Sequence, residues 1–219
     1  MRTPPQTVAV ALTGASGMPY GLRLVECLLA AGSTVWLLYS QVAQIVARQE
    51  MGLDLPSRPA EVETALSARF NAAPGKLRVF GREEWFAPLA SGSNPADAMV
   101  VCPCTMGTLA AIAAGLSQNL IERAADVAIK EGRKLVLVPR ETPFSAIHLE
   151  NMLKLARLGV VILPPSPGFY GHPQTIGDLV DFVVARVLDQ IGVPHRLMRR
   201  WGEAEGPERA TEPGSGAAT

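Results

Sequence analysis

Short apolar runs alternate along this chain with longer segments in which apolar residues recur every three or four positions. The runs are rich in Val, Leu and Ala and predict strands buried on both faces, whereas the periodic segments predict helices. Strands are predicted at residues 7–12, 34–39, 98–101, 134–138 and 160–163, with a further short strand at 77–80. Helices are predicted at residues 20–31, 41–48, 60–69, 106–114, 121–131, 145–158 and 176–191.

This alternation predicts one doubly wound α/β domain, flavodoxin-like or Rossmann-like, with helices on both faces of a parallel sheet. The chain has 219 residues, of which 48% are hydrophobic, enough for a single large core, and we assign residues 1–202 to this domain. Residues 203–219 are rich in Gly, Pro, Ala and charged residues and predict a disordered tail. Ligands of such sheets bind at the carboxyl ends of the strands, so we expect functional residues in the loops that follow them.

The loop after the first predicted strand is a candidate binding element. Gly14-Ala15-Ser16-Gly17 connects a strand to a helix, which leaves backbone N–H groups and a helix dipole for an anion. Its G-x-x-G spacing is not the dinucleotide pattern G-x-G-x-x-G, and the second strand is followed by Ser40 instead of an acidic residue. A hydroxyl can donate to a phosphate, whereas a carboxylate would repel it. The loop therefore favours a mononucleotide such as FMN over NAD, or is merely a tight turn.

The loops after two later strands carry further polar groups. Thr105 and Thr108, at the start of a predicted helix, can bind a phosphate or a flavin edge, or can simply cap the helix. Arg140 and Glu141 follow the next strand, where they can hold a phosphate and relay a proton, or form a surface ion pair.

Charge and cysteine usage exclude several classes of function. Lys and Arg total 20, as do Asp and Glu, so no net charge attracts the protein to nucleic acid or an anionic membrane. Residues 98–116 carry no charge, but Pro103 and Gly107 interrupt them, which favours a buried strand and helix over a membrane span. The odd number of cysteines, three, and the lack of a signal-peptide pattern predict a cytoplasmic protein. Cys102 and Cys104 lack the further ligands of a zinc site and are interpreted as small buried residues.

Positively charged residues on two predicted helices are candidates for a phosphate site. Arg123 and Lys130 lie seven residues apart and share a helix face, which is either solvated or, in a homo-oligomer, directed at a neighbouring subunit's site. Tyr170 lies in a turn rich in proline and glycine, and Arg186 lies on the last helix. A tyrosine hydroxyl and an arginine can hold a phosphate, although a single arginine on a helix is more often solvated.

Five segments together resemble the flavin prenyltransferase family. They are residues 10–17 (VALTGASG), 100–106 (VVCPCTM), 115–120 (GLSQNL), 138–143 (VPRETP) and 164–170 (PPSPGFY), and the resemblance extends from about residue 8 to residue 201. Members of the family make prenylated FMN for partner decarboxylases, including the one in ubiquinone biosynthesis, and form trimer-based dodecamers. The resemblance therefore implies a metal-independent flavin prenyltransferase that uses dimethylallyl phosphate and assembles as a homo-oligomer, a dodecamer.

The resemblance also implies a ligand for each matching position. FMN is expected to contact Gly14, Ala15, Ser16, Ser40, Thr105, Met106, Gly107, Thr108 and Arg140. Dimethylallyl phosphate is expected to contact Tyr170 and Arg186, together with Arg123 and Lys130 from a neighbouring subunit. The N5 atom of reduced FMN attacks the prenyl C1 as phosphate leaves, and ring closure joins the prenyl group to C6. Because no metal takes part, the positive side chains stabilise the charge on the leaving phosphate.

Catalytic roles are implied for Ser16, Glu50, Glu141, Tyr170 and Trp201. Ser16 is expected to position the phosphate and help remove the N5 proton, and Glu50 and Glu141 are carboxylates suited to a proton relay. Tyr170 and Trp201 are expected to stabilise a prenyl cation over their aromatic faces. Without the resemblance, Glu50 would be interpreted as an exposed acid and Trp201 as a packed residue at a helix end.

Other functions fit parts of the pattern. An FMN-dependent decarboxylase of cysteine-containing substrates resembles this chain in fold and FMN loop, but that relative uses a histidine before the strand at 98–101, and the first histidine here is His148. A decarboxylase of aromatic acids needs a pocket that no motif marks. A flavin-binding carrier protein would keep the FMN loops, but it gives no reason to gather the charged residues and Tyr170 described above.

Overall fold

The structure, a computed structural model, describes residues 5–198. In this range the strands are β1 (Thr7–Leu12), β2 (Thr34–Tyr39), β3 (Leu77–Phe80), β4 (Ala98–Cys104), β5 (Lys134–Pro139) and β6 (Val161–Ile162). The helices are α1 (Met18–Ala30), α2 (Gln41–Met51), α3 (Pro59–Arg69), α4 (Met106–Ala113), α5 (Leu120–Lys130), α6 (Ala146–Arg157) and α7 (Ile176–Ile191), with a 3-10 turn at Pro88–Ala90. Trp201 and the predicted tail lie outside the described residues.

The six strands form one parallel sheet in the order β3-β2-β1-β4-β5-β6. This is the strand order of a doubly wound domain, and the predicted fold class is confirmed. The direction of winding reverses between β1 and β4, which leaves a crevice at their carboxyl ends. Ligands of doubly wound sheets bind in that crevice.

Alternate residues of β1 pack on opposite faces of the sheet. Val8, Val10 and Leu12 face the core covered by α1, α2, α3 and α7, whereas Ala9 and Ala11 face the core covered by α4, α5 and α6. All five side chains are buried. Burying a Val or Leu side chain contributes about 1.5–3 kcal/mol, so both faces stabilise the central strands. Within the described residues, no helix is long and apolar enough to cross a membrane.

Close approach of α1 to β4 depends on Gly21. A Cβ atom at this position would lie 2.3 Å from the carbonyl oxygen of Cys102 and 2.5 Å from Leu12 Cδ2. Only glycine leaves room for the helix to lie this near the sheet. The contact fixes the amino end of α1 beside the carboxyl ends of β1 and β4.

The predicted helices are all present, and their ends differ from the prediction by at most three residues. The clearest correction concerns β4, which continues through Cys104 beyond its predicted end at Val101. Pro103 has no N–H group for the ladder, and the pairing of β4 with β5 is irregular at this point. The Pro103 carbonyl instead accepts from the N–H and the hydroxyl of Thr13, at 3.2 and 2.7 Å. These bonds join the end of β4 to the loop after β1.

Candidate functional site

A cavity of ≈ 340 Å³ opens at the carboxyl ends of the central strands. Of the residues predicted to contact FMN, the structure brings five together in its wall: Gly14, Ser40, Thr105, Gly107 and Thr108. They come from the loops after β1, β2 and β4, which are neighbours in the sheet. The crevice predicted by the strand order therefore carries the polar groups predicted by the sequence.

A larger groove of ≈ 420 Å³ lies on the outer face of α1 and beside the start of α7. Its wall includes apolar side chains such as Leu22, Phe70 and Val180, together with the ion pair of Arg23 and Asp181. None of the predicted ligand-binding residues lies in it. The chemistry of the lining, and not the volume, identifies the cavity at the strand ends as the candidate site.

Gly14 is required for the shape of the cavity. A Cβ atom at Gly14 would lie 2.4 Å from Val42 Cγ1 and 2.6 Å from Val42 Cβ, so a larger residue would push α2 away from the loop. Ala15 and Met106 are buried, and their side chains are therefore unavailable to a ligand. Their expected contacts with FMN would use backbone atoms.

The cavity hydroxyls also cap helices. Ser40 Oγ accepts from the N–H of Ala43 at 3.1 Å, and Thr105 Oγ1 accepts from the N–H of Thr108 at 3.1 Å. The Thr105 hydroxyl donates to Thr108 Oγ1 at 2.9 Å. Helix capping, which the sequence left open as an alternative for Thr105 and Thr108, is thus correct for Thr105, and Ser40 caps α2 in the same way. It leaves the hydroxyl hydrogens of Ser40 and Thr108 free to bind a ligand, since a hydroxyl accepts and donates at once.

The amino end of α1 is occupied by an acidic side chain of the same chain. Glu50, in the last turn of α2, accepts from the N–H of Gly17 at 3.0 Å and from the N–H of Met18 at 2.8 Å. A carboxylate at a helix amino terminus interacts favourably with the helix dipole. The expectation that these N–H groups are available to an anion is therefore wrong for Gly17 and Met18.

Arg140 and Glu141 diverge from the end of β5. Arg140 is exposed, and its Nε donates to the carbonyl oxygen of Ser16 at 3.3 Å. Glu141 is half-buried, and its Oε1 accepts from the N–H of Thr142 at 3.1 Å. The guanidinium is thereby held against the loop after β1, beside the exposed Ser16. The two side chains therefore bind different partners. The alternative from the sequence, a surface ion pair between Arg140 and Glu141, is not formed.

Tyr170, in the loop before α7, packs against the side of α7 that carries Arg186. The rings of Tyr170 and Phe182 meet edge to face with centroids 5.7 Å apart. Phe182 precedes Arg186 by one helical turn, so the two residues share a side of α7. A Cβ atom at Gly168 would lie 2.9 Å from both rings, and the absence of a side chain there allows them to meet. The loop after β6 thus places Tyr170 against the helix that carries Arg186.

The sequence profile of the family described as Flavoprotein matches residues 2–188. The chain belongs to the flavoprotein family. This flavoprotein is 56% identical over 199 residues to the flavin prenyltransferase UbiX of Pseudomonas aeruginosa, with 91% of this chain and 95% of the relative aligned.

Two solved structures resemble the flavoprotein along most of its length. AnUbiX in complex with FMN and dimethylallyl pyrophosphate is 40% identical, with a TM-score of 0.81 and coverage of 92% of this chain and 100% of that one. A dodecameric FMN-dependent UbiX-like decarboxylase from Escherichia coli is 45% identical, with a TM-score of 0.77 and coverage of 89% and 98%. Similarity at this level covers the sheet, the cavity and α7 together.

Arg123 and Lys130 lie on α5, which leads away from the cavity of the flavoprotein. Asn119, just before α5, lines the cavity, and Lys130 at the other end is roughly 15 Å away along the helix axis. Arg123 Nε donates to the carbonyl oxygen of Ala90 at 2.9 Å, and its Nη1 pairs with Asp126 at 2.7 Å. α5 packs on the face of the sheet opposite to α7. Within one chain, the structure therefore keeps these two cations apart from Tyr170 and Arg186.

Six residues of the cavity wall were not among the predicted site residues: Thr13, Val42, Arg82, Asn119, Ile121 and Glu122. Asn119 Oδ1 caps α5, and its Nδ2 donates to Glu122 Oε1 at 2.7 Å. Glu122 is 8% exposed, and its Oε2 accepts from the N–H of Gln118 at 2.7 Å. The spacing N-x-x-E before an apolar helix is a capping signal that could have revealed this pair. Arg82 lies two residues after the end of β3. Because ligands bind at the carboxyl ends of the strands, this position could have identified Arg82 as a candidate.

Two of the three cysteines, Cys102 and Cys104, are buried, and burial makes their thiols unreactive. Cys102 and Cys104 are fully packed in the core, which confirms their interpretation as small buried residues. Burial raises the pKa of Cys104 to about 12 and raises the pKa of Cys102 as well. A thiol is nucleophilic as the thiolate, so both are poor nucleophiles at neutral pH. Within residues 5–198, no group of three or more His, Cys, Asp or Glu side chains is placed to hold a metal ion.

Proposed function

We propose that this flavoprotein is a flavin prenyltransferase that transfers a dimethylallyl group to reduced FMN. The observation that carries the proposal is the 56% identity, over 91% of the chain, to a flavin prenyltransferase. The complex of AnUbiX with FMN and dimethylallyl pyrophosphate supports FMN and a phosphorylated dimethylallyl compound as the two ligands. The product, prenylated FMN, would serve a partner decarboxylase, with ubiquinone biosynthesis as the associated pathway. The three unpaired cysteines support our placement of the enzyme in the cytoplasm.

The cavity fits the phosphate and ribityl parts of FMN. Ser40 and Thr108 each have a hydroxyl hydrogen to donate, and the first turn of α4 offers N–H groups without intrahelical acceptors. Arg82 adds a positive charge to the wall, which favours a phosphate. Gly14 lies in the wall of the cavity, and its lack of a Cβ atom lets Val42 at the start of α2 pack against this loop. When bound and reduced, FMN supplies the nucleophilic N5 atom to which the prenyl group is joined.

Proton handling is assigned to Ser16, Glu50 and Glu141. Glu50 is bonded to the N–H groups of the two residues that follow Ser16, so its carboxylate is fixed at the edge of that loop. We assign the Ser16 hydroxyl to accept the proton that leaves N5, with Glu50 and Glu141 as carboxylates that pass it to solvent. The bond from Arg140 to the Ser16 carbonyl holds the loop in place during this step.

The prenyl donor is assigned to a site built from two subunits. Tyr170 and Arg186 of one subunit would bind the phosphate of dimethylallyl phosphate, and Arg123 and Lys130 would come from a neighbour. The position of Lys130, roughly 15 Å along α5 from its own cavity, supports a role in another subunit's site. The dodecameric relative from Escherichia coli supports an oligomer of this kind. We propose that the flavoprotein is likewise a homo-oligomer, a dodecamer.

Positive side chains replace a metal ion in this proposal. Negative charge grows on the phosphate as the bond to the prenyl C1 breaks, and guanidinium and ammonium groups stabilise that charge in the transition state. Tyr170 and Trp201 are assigned to stabilise the positive charge that develops on the prenyl group. Metal independence remains a prediction of this arrangement.

Decarboxylation is the second candidate function, because the Escherichia coli relative is described as an FMN-dependent decarboxylase. The two functions are separated under anaerobic conditions by supplying dimethylallyl phosphate to the protein with FMN and a reductant, and carboxylic acids to the protein with oxidised FMN and, separately, with reduced FMN. We expect dimethylallyl phosphate to yield a new flavin, and aromatic or cysteine-containing carboxylic acids to yield no carbon dioxide. Release of carbon dioxide without a new flavin would establish the decarboxylase instead.

A further inference from the structure

Arg186 is held by a residue one turn further along α7. Asp189 Oδ2 accepts from Arg186 Nη1 at 2.7 Å. The other oxygen of the same carboxylate, Oδ1, lies 3.2 Å from His195 Nε2. His195 follows the helix, in the segment after the terminal Gly192. The carboxylate therefore joins the arginine to the chain beyond α7.

The hydrogen bonds of His195 indicate which of its ring nitrogens accepts and which donates. The N–H of Leu197 donates to His195 Nδ1 at 3.4 Å, so Nδ1 acts as an acceptor and carries no hydrogen. The single ring hydrogen is therefore on Nε2, where it is donated to Asp189. The side chain of His195 is 8% exposed, which keeps the ring in one orientation. A packed imidazole thus fixes the carboxylate in place.

This arrangement differs from an ordinary pair of charges on a helix surface. An isolated Arg–Asp pair of this spacing contributes little, because both side chains lose rotamer freedom in forming it. Here His195 has already fixed Asp189, so less freedom remains to be lost when the guanidinium binds. The bond occupies Nη1 of Arg186 and leaves Nε and Nη2 for a ligand. The side chain of Arg186 is 48% exposed, so a phosphate can reach it.

We propose that Asp189 and His195 are positioning residues that orient the Arg186 guanidinium for the phosphate of the prenyl donor. The inference rests on the role given to Arg186 in the proposed function. The contact of Tyr170 with Phe182, one turn before Arg186, places the oriented guanidinium on the same side of α7 as the other proposed phosphate ligand. Preorganisation of this kind strengthens binding by reducing the ordering that the ligand must impose.

The test compares donor binding among Asp189→Asn, His195→Leu, His195→Gln and Arg186→Ala. Binding of dimethylallyl phosphate to the protein loaded with oxidised FMN is measured by calorimetry, and KM and kcat are measured with reduced FMN. We expect Asp189→Asn and His195→Leu to weaken donor binding and raise KM about tenfold, and to lower kcat by less than Arg186→Ala does, with FMN affinity within about twofold of wild type. His195→Gln, whose amide can still donate to Asp189, should recover most of the loss.

The control is Glu61→Gln, which breaks an Arg–acid pair of the same spacing on α3, between Arg58 and Glu61. We expect it to leave donor binding unchanged. The double variant Arg186→Ala with His195→Leu should bind the donor no worse than Arg186→Ala alone, because His195 acts through the arginine.

Two results overturn the inference in different ways. If Arg186→Ala weakens donor binding but Asp189→Asn and His195→Leu do not, or if the losses in the double variant add, the positioning role is wrong while the proposed function stands. If Arg186→Ala leaves donor binding unchanged, the assignment of Arg186 itself is wrong and the inference falls with it. Thermal unfolding of each variant shows whether a loss reflects misfolding, and recovery in His195→Gln separates orientation of Arg186 from packing.

Discussion

The carboxylate of Glu50 accepts the backbone N–H of Met18 at 2.8 Å, across 32 residues of chain. It thereby provides the cap that α1 lacks locally, because Gly17 has no side chain to serve as one. Through this bond the last turn of α2 fixes the end of α1 that borders the candidate site. A change at Glu50 should therefore affect both stability and function.

Replacement of Glu50 by Gln should lower the free energy of unfolding by about 1 kcal/mol, since it removes a charged cap from a helix terminus. Turnover should fall as well, because an amide cannot accept the proton assigned to the carboxylate. Urea unfolding measures the first effect and flavin product formation the second. Glu150→Gln, at an exposed position on α6, serves as the control and should change neither. Full activity in Glu50→Gln would contradict the proton role.

The phosphate-binding residues, and not the cysteines, should carry the reaction. Arg186→Ala and Glu141→Gln should reduce turnover on the order of a hundredfold with FMN still bound, because the first removes a positive charge that stabilises the leaving phosphate and the second removes a carboxylate of the proton relay. Cys102→Ser and Cys104→Ser should retain most activity. Steady-state turnover and bound flavin, measured by absorbance, check both statements. Loss of activity in Cys104→Ser with an active Arg186→Ala would reverse the assignment.

Thiol reactivity should follow the raised pKa values. Burial raises the pKa of Cys104 to about 12 and that of Cys27 to about 11, so the folded protein keeps both thiols neutral at pH 8. Alkylation by iodoacetamide, followed by mass spectrometry, should be slow in the folded protein and should quicken as the pH rises toward those values. In urea all three cysteines should react at pH 8. Rapid modification of Cys104 in the folded protein at pH 8 would contradict this account.

A mixture of inactive subunits tests the shared donor site. Lys130→Ala and Arg186→Ala should each be nearly inactive as pure oligomers, because each removes one part of every donor site. Coexpressed, they form mixed oligomers in which an intact Lys130 of one chain faces an intact Arg186 of another. Such oligomers, purified with two affinity tags, should recover a measurable fraction of wild-type activity. No recovery, or full activity of a monomer in light scattering, would show that each site is built within one chain.

Local patterns were sufficient for much of the fold. The prediction of α7 matches its observed bounds, since Thr175 and Gly192 cap the helix from positions next to it. The end of β4 was placed too early, because Pro103 interrupts the strand ladder, and only the pairing of Cys104 with Pro139 of β5 shows that the strand continues.

The site was less accessible to sequence reasoning than the fold. Pattern and position indicated that Gly14, Ser40 and Thr105 would lie together, since each follows a strand of the central sheet, and the structure places all three in one cavity wall. The cap supplied by Glu50 and the bond of Asp189 to His195 depend on the folded chain, and no spacing in the sequence indicates them. The ligands assigned to each position came from the resemblance to a family and not from periodicity.

The central claim is tested most directly by the mass of the flavin after one incubation. The purified protein is mixed anaerobically with FMN, a reductant, dimethylallyl phosphate and a metal chelator, and the flavin is analysed by mass spectrometry. We predict a flavin heavier than FMN by one prenyl unit, formed with wild-type protein but nearly absent with Arg186→Ala. Recovery of FMN unchanged in mass, or a product that forms only when a metal ion is added back, would contradict the account.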